Sequence, residues 1–143
     1  LRRAQNQRLY PGDILLAIKG SVGRVAFVDD SCGDNWIAGQ AFIIIRPKGT
    51  AVSTPFLYQY LASELIQEYI QETATGAVMA LLKAADVSGI PVPLPSPEIR
   101  DAVETTHKQI LAEYEAIKEH RDTISRLKVQ NWSLQSANGA TNV

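Results

Sequence analysis

The stretch that decides the fold is GDILLAIKGSVGRVAFVDD, residues 12–30. Its first apolar run, Ile14–Ile18, has the length of a buried strand, and a second run, Val25–Val28, ends at a pair of aspartates. Between the runs lies the loop Lys19–Arg24, whose two glycines allow a sharp bend or a close approach of the backbone to a ligand. Since a Pro-Gly turn precedes the first run, we predict a β-hairpin over residues 9–30.

Two further elements follow the hairpin. Residues 40–46 contain Phe-Ile-Ile-Ile and are closed by a proline, which predicts a third strand. From Phe56 to about Glu72, apolar residues recur at three- and four-residue spacing, which predicts one amphipathic helix. Either Ser53 or Thr54 is its predicted N-cap, because a hydroxyl there can accept a hydrogen bond from a free N–H of the first turn.

A less regular segment separates this helix from the C-terminal part of the chain. Gly76 is predicted as a left-handed cap of the helix, and residues 81–87 favour a short helix or turn. In Ile90–Pro95, prolines alternate with aliphatic residues, so the backbone is extended and lacks the N–H groups of a full sheet partner. We therefore predict an abrupt boundary at this segment.

The C-terminal part has the pattern of one long helix. No Pro or Gly occurs between residues 98 and 138, so we predict a helix over residues 98–133 and a disordered tail over residues 134–143. Aliphatic residues seven apart form half of a heptad seam: Val103, Ile110, Ile117 and Ile124. The positions three residues later are mostly polar, so the helix needs a partner that it does not supply itself. The alternative is a solvated helix folded back on its own domain.

Composition indicates an ordinary folded protein. Hydrophobic residues make up 45% and charged residues 20% of the 143 residues, which allows one domain plus an appendage. No apolar run approaches the length of a membrane span and no charged-then-apolar leader opens the sequence, so we predict a cytoplasmic protein with no membrane partner. Cys32 is the only cysteine, which excludes a disulfide framework within the chain.

The distribution of charge permits binding to nucleic acid. The net charge is −1, but residues 1–48 carry seven basic and four acidic side chains, whereas the remainder carries seven basic and eleven acidic ones. A duplex-binding surface needs clustered positive charge and not a basic protein as a whole. The asymmetry is therefore compatible with DNA as a partner and does not demonstrate it.

A catalytic or metal-binding constellation is not apparent. His107 and His120 lie thirteen residues apart on the long helix, and we interpret both as solvated helix residues. Cys32 is interpreted as a partly buried thiol, and the pair Asp29-Asp30 as a turn and not a metal site. The loop at residues 20–24 lacks the Lys-Ser/Thr ending of a phosphate loop and the Ser-centred spacing of a nucleophile elbow. We expect no catalysis, no metal and no cofactor.

Five short motifs occur in order along the chain: GDILLAIKGSVGRVAFV (12–28), AGQAFIIIRPK (38–48), PFLYQYLASELIQEYI (55–70), TATG (73–76) and IPVPLPSPEI (90–99). With the long helix behind them, they resemble the specificity subunits of type I restriction-modification enzymes over residues 9–130. The resemblance implies an α+β fold, with a small β-rich target-recognition domain and its packed helix followed by one long coiled-coil helix. The chain also resembles the recognition region of fused adenine-N6 DNA methyltransferases.

The resemblance implies different functions for two parts of the chain. Residues 1–97 would be the C-terminal part of a target-recognition domain from a longer protein, and residues 98–133 the spacer helix. The segment would recognise a specific DNA sequence and direct a DNA adenine methyltransferase, alone or together with an endonuclease, to it without being catalytic itself. The implied partners are double-stranded DNA, a methyltransferase subunit or domain, and a second spacer helix from the same or another chain.

Candidate contact residues follow from the loop and from the resemblance. Lys19, Ser21 and Arg24 belong to the glycine-containing loop, where the alternative for the two cations is a pair of solvated hairpin charges. Gln40 could contact an adenine, although an amide buried between the hairpin and the next strand is favoured. Thr75 and Lys83 are implied by the resemblance. The predicted partner-facing residues of the long helix are Val103, Ile110, Tyr114, Ile117, Ile124 and Leu127.

Two other classes of function are weighed against DNA recognition. One is a helical protein-interaction scaffold within a multi-subunit assembly, in which the β-rich part is only structural. The other is an unrecognised hydrolase or nuclease. Because duplex recognition does not need unstacked bases, four aromatic residues are predicted to lie in the core and not to stack on bases: Trp36, Tyr58, Tyr60 and Tyr69.

Overall fold

The computed structural model describes residues 7–75 and 80–137, with side chains up to residue 130. The chain forms two compact units, Leu1–Glu104 and Thr105–Val143. The first unit contains a sheet and short helices, and the second is formed by the continuation of a long helix. The predicted α+β fold class is confirmed. The functional boundary expected at residue 97 stays a prediction.

The sheet of the first unit has three antiparallel strands with the first strand in the centre. Strand β1 is Ile14–Ala17, β2 is Val25–Phe27 and β3 is Phe42–Ile45, in the order β2-β1-β3. Leu16 lies opposite Val25 on one side of β1 and opposite Ile43 on the other. The predicted hairpin and third strand are confirmed.

The helical segment after the sheet contains two helices where the sequence predicts one. Helix α1 is Thr54–Ala62 and α2 is Glu64–Thr73. Ser63 between them is extended, with φ −67° and ψ 148°. Its N–H (3.1 Å) and its hydroxyl (2.7 Å) both donate to the Tyr60 carbonyl, so the side chain competes with the helical backbone pattern. The apolar spacing continues across this break, and for that reason the sequence pattern conceals it.

The ends of these helices match the capping predictions where they can be compared. Ser53 is the N-cap of α1, and its hydroxyl oxygen accepts a hydrogen bond from the Phe56 N–H at 3.3 Å. Ala74 is the C-cap of α2. The predicted cap Gly76 lies outside the described residues. Helix α3, Ala84–Ser88, corresponds to the predicted short helix or turn, and the proline-alternating segment behind it carries no regular element.

The core lies between β1 and the helical segment. The largest fully buried side chains are Ile14 and Leu16 from β1, Ile70 from α2, and Leu82 from the segment before α3. Burying a side chain of this size contributes about 1.5–3 kcal/mol relative to exposure. A smaller cluster of Leu9, Val28 and Ala38 lies apart from this main core. Alternate residues of β1 therefore connect the strand to the helices.

The aromatic predictions are half correct. Tyr58 and Tyr60 are partly buried and pack against the main core. Trp36 is 54% exposed and Tyr69 is 39% exposed, so their assignment to the core is wrong. Trp36 lies in the irregular segment between β2 and β3, and only Ile66 and Ile70 of α2 reach full burial. A short helix buries a narrow stripe, and Tyr69 falls outside it.

The long helix α4, Pro97–Ala137, has 41 residues and a length of about 60 Å. Ser96 precedes it, and its hydroxyl accepts the Ile99 N–H at 3.4 Å. The Ser96 side chain also hydrogen-bonds to Glu98, which lowers the pKa of that carboxyl. Helix α4 includes residues 134–137 of the predicted disordered tail, and the disorder of that tail stays a prediction. The rest of the predicted tail lies outside the described residues.

One histidine on α4 departs from its predicted environment. His107 is only 5% exposed, so its interpretation as a solvated residue is wrong, whereas His120 is exposed as expected. Exposure of a helix position depends on what covers it in the folded chain, which residue type does not reveal. Among the helices in the described part of the chain, none combines the length and apolar character needed to cross a membrane.

Leu16→Ala tests the role of β1 in the core. Leu16 is fully buried, so its truncation leaves a cavity, and we expect the free energy of unfolding to fall by about 2–5 kcal/mol. Leu65→Ala is the matched control, because Leu65 on α2 is 70% exposed and should change stability by at most about 0.5 kcal/mol. Urea unfolding followed by circular dichroism measures both. Equal losses in the two variants would contradict this assignment of the core.

Candidate nucleic-acid interface

One end of the sheet brings together chain segments that are far apart in sequence. β1 ends where β2 and β3 begin, so the loop Lys19–Arg24 and the turn before β3 lie at the same end. The Ile18 N–H donates to the Ala41 carbonyl at 2.7 Å, which joins the beginning of the loop to that turn. We call the surface formed here by Lys19–Arg24, Gln40, Thr75 and Lys83 the loop end.

The loop itself has an exposed side and a buried side. Lys19, Ser21 and Arg24 are exposed, whereas Val22 and Gly23 are buried. The Gly23 N–H donates to the Ala17 carbonyl at 2.9 Å, and the Arg24 N–H donates to the Ser21 carbonyl at 3.2 Å. These bonds turn the backbone tightly, which requires the positive φ of +90° at Gly23. The two cations and the hydroxyl predicted to contact DNA are thus exposed, whereas the two residues between Ser21 and Arg24 are buried.

Two glutamines of α2 hold the buried side of the loop. The Gln67 amide donates to the Gly23 carbonyl at 2.8 Å and to the Leu61 carbonyl at 2.7 Å. The Gln71 amide donates to the Val22 carbonyl at 2.9 Å. Sequence reasoning missed both residues. Their spacing of four on one helix was the only available signal, and it is shared by many solvated helix faces.

Isolated backbone bridges bring Thr75 and Lys83 to the loop end. Thr75 and Leu81 exchange two backbone hydrogen bonds, of 3.1 and 2.9 Å, and Leu81 also forms an isolated bridge with Lys19. The Leu82 N–H donates to the Ile18 carbonyl at 3.1 Å, and its side chain is only 1% exposed. Lys83 follows directly and is exposed. The structure therefore places Lys19, Thr75 and Lys83 on neighbouring backbone segments.

Gln40 is exposed, so the favoured interpretation of a buried amide is wrong. The Phe42 N–H donates to the Gly39 carbonyl at 3.1 Å, which forms a turn with Gln40 at its outside. The connection between hairpin and third strand is instead made by the backbone of Ala41. The amide of Gln40 consequently remains available at the loop end.

The cations of the loop end contrast with Arg46 at the opposite end of the sheet. The Arg46 guanidinium donates to both carboxylate oxygens of Asp13, at 2.5 and 2.8 Å, and Asp13 is only 3% exposed. Hydrogen bonding to Asp13 raises the pKa of Arg46, against the opposing effect of burial. Within the residues whose side chains are described, Lys19, Arg24 and Lys83 form no such pair.

The long helix presents an apolar stripe of its own. Val103 and Ile110 are partly buried. The remaining predicted partner-facing residues are 51–59% exposed: Tyr114, Ile117, Ile124 and Leu127. Large apolar side chains at this spacing are unusual on a helix that stays fully solvated. Whether a second helix covers them stays a prediction.

The interpretation of the acidic pair after β2 as a turn is confirmed. An Asp29 carboxylate oxygen accepts hydrogen bonds from both the N–H and the hydroxyl of Ser31, at 2.8 and 2.5 Å. Cys32 is partly buried as expected. Across the described residues, no group of three His, Cys, Asp or Glu side chains is arranged to hold a metal ion.

Comparison with known proteins identifies the family. The family model for the type I restriction modification DNA specificity domain matches residues 3–128. The chain belongs to this family. Its specificity domains are non-catalytic, and the match supports DNA recognition and gives no support to a scaffold without it. The type I restriction enzyme EcoBI specificity subunit of Escherichia coli is 25% identical over 114 residues, which are 80% of this chain and 24% of that protein. The chain thus spans about a quarter of the length of this curated relative.

Gly23→Ala tests the packing of the loop in this specificity domain. A β-carbon at Gly23 would lie 2.8 Å from the Gln67 side-chain oxygen and 3.1 Å from the Gln71 side-chain nitrogen. Gly20→Ala is the matched control, because φ is also positive there and nothing lies within 4 Å of the added carbon. We expect about 1–2 kcal/mol of backbone strain in both variants and a further loss only in Gly23→Ala. Thermal and urea unfolding measure the difference, and equal stability of the two variants would contradict the close packing at Gly23.

Proposed function

We propose that this chain is part of the DNA-recognition region of a type I restriction-modification system. It recognises a specific duplex sequence and directs a DNA adenine methyltransferase, alone or together with an endonuclease, to that site. The recognition region belongs either to a separate specificity subunit or to a fused methyltransferase, and it acts in the cytoplasm. The observation that carries the proposal is the loop end, where two chain segments contribute three cations that form no ion pair among the described side chains.

The cations serve to fix the position of the domain on the duplex. Lys19, Arg24 and Lys83 are exposed and come from the hairpin loop and from the segment before α3. Lysine and arginine side chains contact phosphates and set the register of a protein on DNA without sensing its sequence. Three such contacts, held on neighbouring backbone segments, orient the loop towards the grooves.

Sequence selectivity is assigned to the uncharged polar residues of the same surface. Ser21, Gln40 and Thr75 are exposed and lie among the three cations. A glutamine amide can form two hydrogen bonds with adenine in the major groove, and serine or threonine hydroxyls can bond to several bases. The exposed position of Gln40 supports this role.

The long helix α4 is proposed to pair with a second spacer helix, from the same polypeptide or from another chain, and to dock the methyltransferase subunit. Its apolar stripe is one-sided, as expected for a helix that packs against a partner. An antiparallel pair of long helices would also hold two recognition domains at a defined separation.

Charge removal at the loop end tests the DNA contacts. We expect Lys19→Ala, Arg24→Ala and Lys83→Ala each to weaken binding to duplex DNA about three- to tenfold at low salt, because each variant lacks one cation that binds a phosphate. The slope of log K against log salt should fall by about one in each single variant. Lys118→Ala is the control, since Lys118 lies on α4 and pairs with Glu115. Fluorescence anisotropy measures all four, and wild-type affinity in the three loop-end variants would refute the proposed face.

The double substitution Ile117→Glu and Ile124→Glu tests the helix partner. Both residues are 51% exposed, so the fold should persist, whereas two buried charges would disrupt a helix pair. We expect loss of self-association in sedimentation velocity and loss of co-purification with the methyltransferase subunit. Ala112→Glu introduces a charge at an exposed position off the stripe and should leave both unchanged. Unchanged association in the double variant would contradict this role of the stripe.

A further inference from the structure

Two carbonyl groups on the buried side of the recognition loop accept hydrogen bonds from side chains instead of from a strand backbone. The carbonyls of Val22 and Gly23 both point to α2, where the side-chain amides of Gln71 and Gln67 donate to them. A partly buried carbonyl without a donor costs about 1–3 kcal/mol. The loop conformation and the two amides are therefore mutually dependent.

We propose that Gln67 and Gln71 are positioning residues that fix the recognition loop in the conformation needed for sequence selectivity. This inference rests on the proposed function, since it assigns selectivity to the loop end. Neither glutamine contacts DNA in this proposal. They act through the backbone between Ser21 and Arg24, which carries two of the predicted contacts.

Gln67 of α2 connects the loop to α1 as well as to α2. One amide N–H bonds to Gly23 and the other to the Leu61 carbonyl near the end of α1. The break at Ser63 lies between Leu61 and Gln67, so this single side chain spans the α1–α2 junction and the loop. The packed helices therefore hold the loop in position together with its own hairpin.

The fit at Gly23 leaves little freedom for the loop to shift. The space that a β-carbon would occupy is bounded by the Gln67 oxygen at 2.8 Å, the Gln71 nitrogen at 3.1 Å and the Ile70 side chain at 3.3 Å. Ile70 is fully buried, so one wall of this space belongs to the rigid core. The positive φ favours glycine, and an added β-carbon would displace the two glutamine side chains from their present positions.

An uncharged amide is suited to holding the loop backbone beside a phosphate-binding surface. α2 already carries Glu64, Glu68 and Glu72, which line a shallow depression together with the two glutamines. A carboxylate in place of either amide could not donate to a carbonyl and would add negative charge near the loop. A lysine or arginine would donate but would also add an unselective phosphate contact. Glutamine supplies a directional donor with no charge.

Positioning and charge have separable effects on DNA binding. Phosphate contacts from flexible cations tolerate small shifts of the backbone, whereas hydrogen bonds to base edges are directional. Variants without the two amides still carry Lys19 and Arg24. We therefore expect selectivity to fall while affinity for an arbitrary duplex changes little.

The test uses the full chain with Gln67→Met, Gln71→Met and the double variant, which keep side-chain length but lack the donor. The probe is a library of duplexes with a randomised centre, selected for binding and sequenced, and a fixed duplex that the wild type does not enrich. We expect enrichment of the preferred sequence to fall about five- to tenfold in each single variant, as for removal of one hydrogen bond, and affinity for the fixed duplex to change less than about twofold. Hydrogen exchange of the Gly23 and Arg24 amides should accelerate without DNA.

Gln59→Met is the matched control. Gln59, which like Gln67 is partly buried, also donates to a backbone carbonyl, that of Val103 at 3.1 Å, but it makes no hydrogen bond to the loop among the described contacts. It should retain both the wild-type selectivity and the slow exchange of the loop amides. An equal loss of selectivity in Gln59→Met would show that the loss of any such amide lowers selectivity through general destabilisation of the domain. That result would overturn the inference.

Two further outcomes separate this inference from the proposed function. If the wild type enriches no sequence, the proposed function fails, and loop exchange alone then decides whether the glutamines position the loop. If the wild type is selective and both methionine variants keep its enrichment and exchange rates, the positioning role is refuted. Gln71→Glu adds a third comparison, because it should lose selectivity like Gln71→Met and in addition bind the fixed duplex more weakly.

Discussion

The burial of the central strand β1 is the constraint on which the first unit depends. β1 is hydrogen-bonded on both edges, and its side chains Ile14 and Leu16 are completely buried with Ile70 and Leu82. A strand held in this way has no freedom to change register, because a shift of one residue would turn its apolar side chains out of the core. Its end therefore fixes where the Lys19–Arg24 loop begins, and Leu82 brings the segment of Lys83 to the same place.

Stability and recognition use the same residue types in different ways. Arg46 is engaged by the buried carboxylate of Asp13 and helps to hold the start of β1. The cations of the loop end make no comparable pair among the described side chains, so their charge is directed to solvent. The amides differ in their contacts: those of Gln67 and Gln71 donate to carbonyls of the loop, whereas Gln40 is exposed at the turn before β3.

The candidate site could be predicted only in part. Lys19, Ser21 and Arg24 follow from a local pattern, since two glycines between two apolar runs predict a loop wherever they occur. Thr75 and Lys83 came from a family resemblance. Gln67 and Gln71 were missed because a helix-borne amide has no distinctive spacing, and Gln40 was assigned to the interior because a polar residue beside a strand can face either way. The family match covers the residues that carried the resemblance, and the chain corresponds to only a quarter of the E. coli relative's length.

Local interactions explain what the sequence determined by itself. The hairpin, the N-cap at Ser53 and the long uninterrupted helix depend on contacts within a few residues, so alternation, capping residues and the absence of Pro and Gly predict them, and the apolar run of the third strand is visible in the sequence although its partner β1 is not. The break at Ser63 is also local, but the continuous apolar spacing conceals it, and the exposure of Trp36 depends on neighbours that are distant in the chain. The loop end itself is such a feature. It exists because backbone hydrogen bonds and buried side chains join segments more than forty residues apart, and only the tertiary structure decides which segments meet.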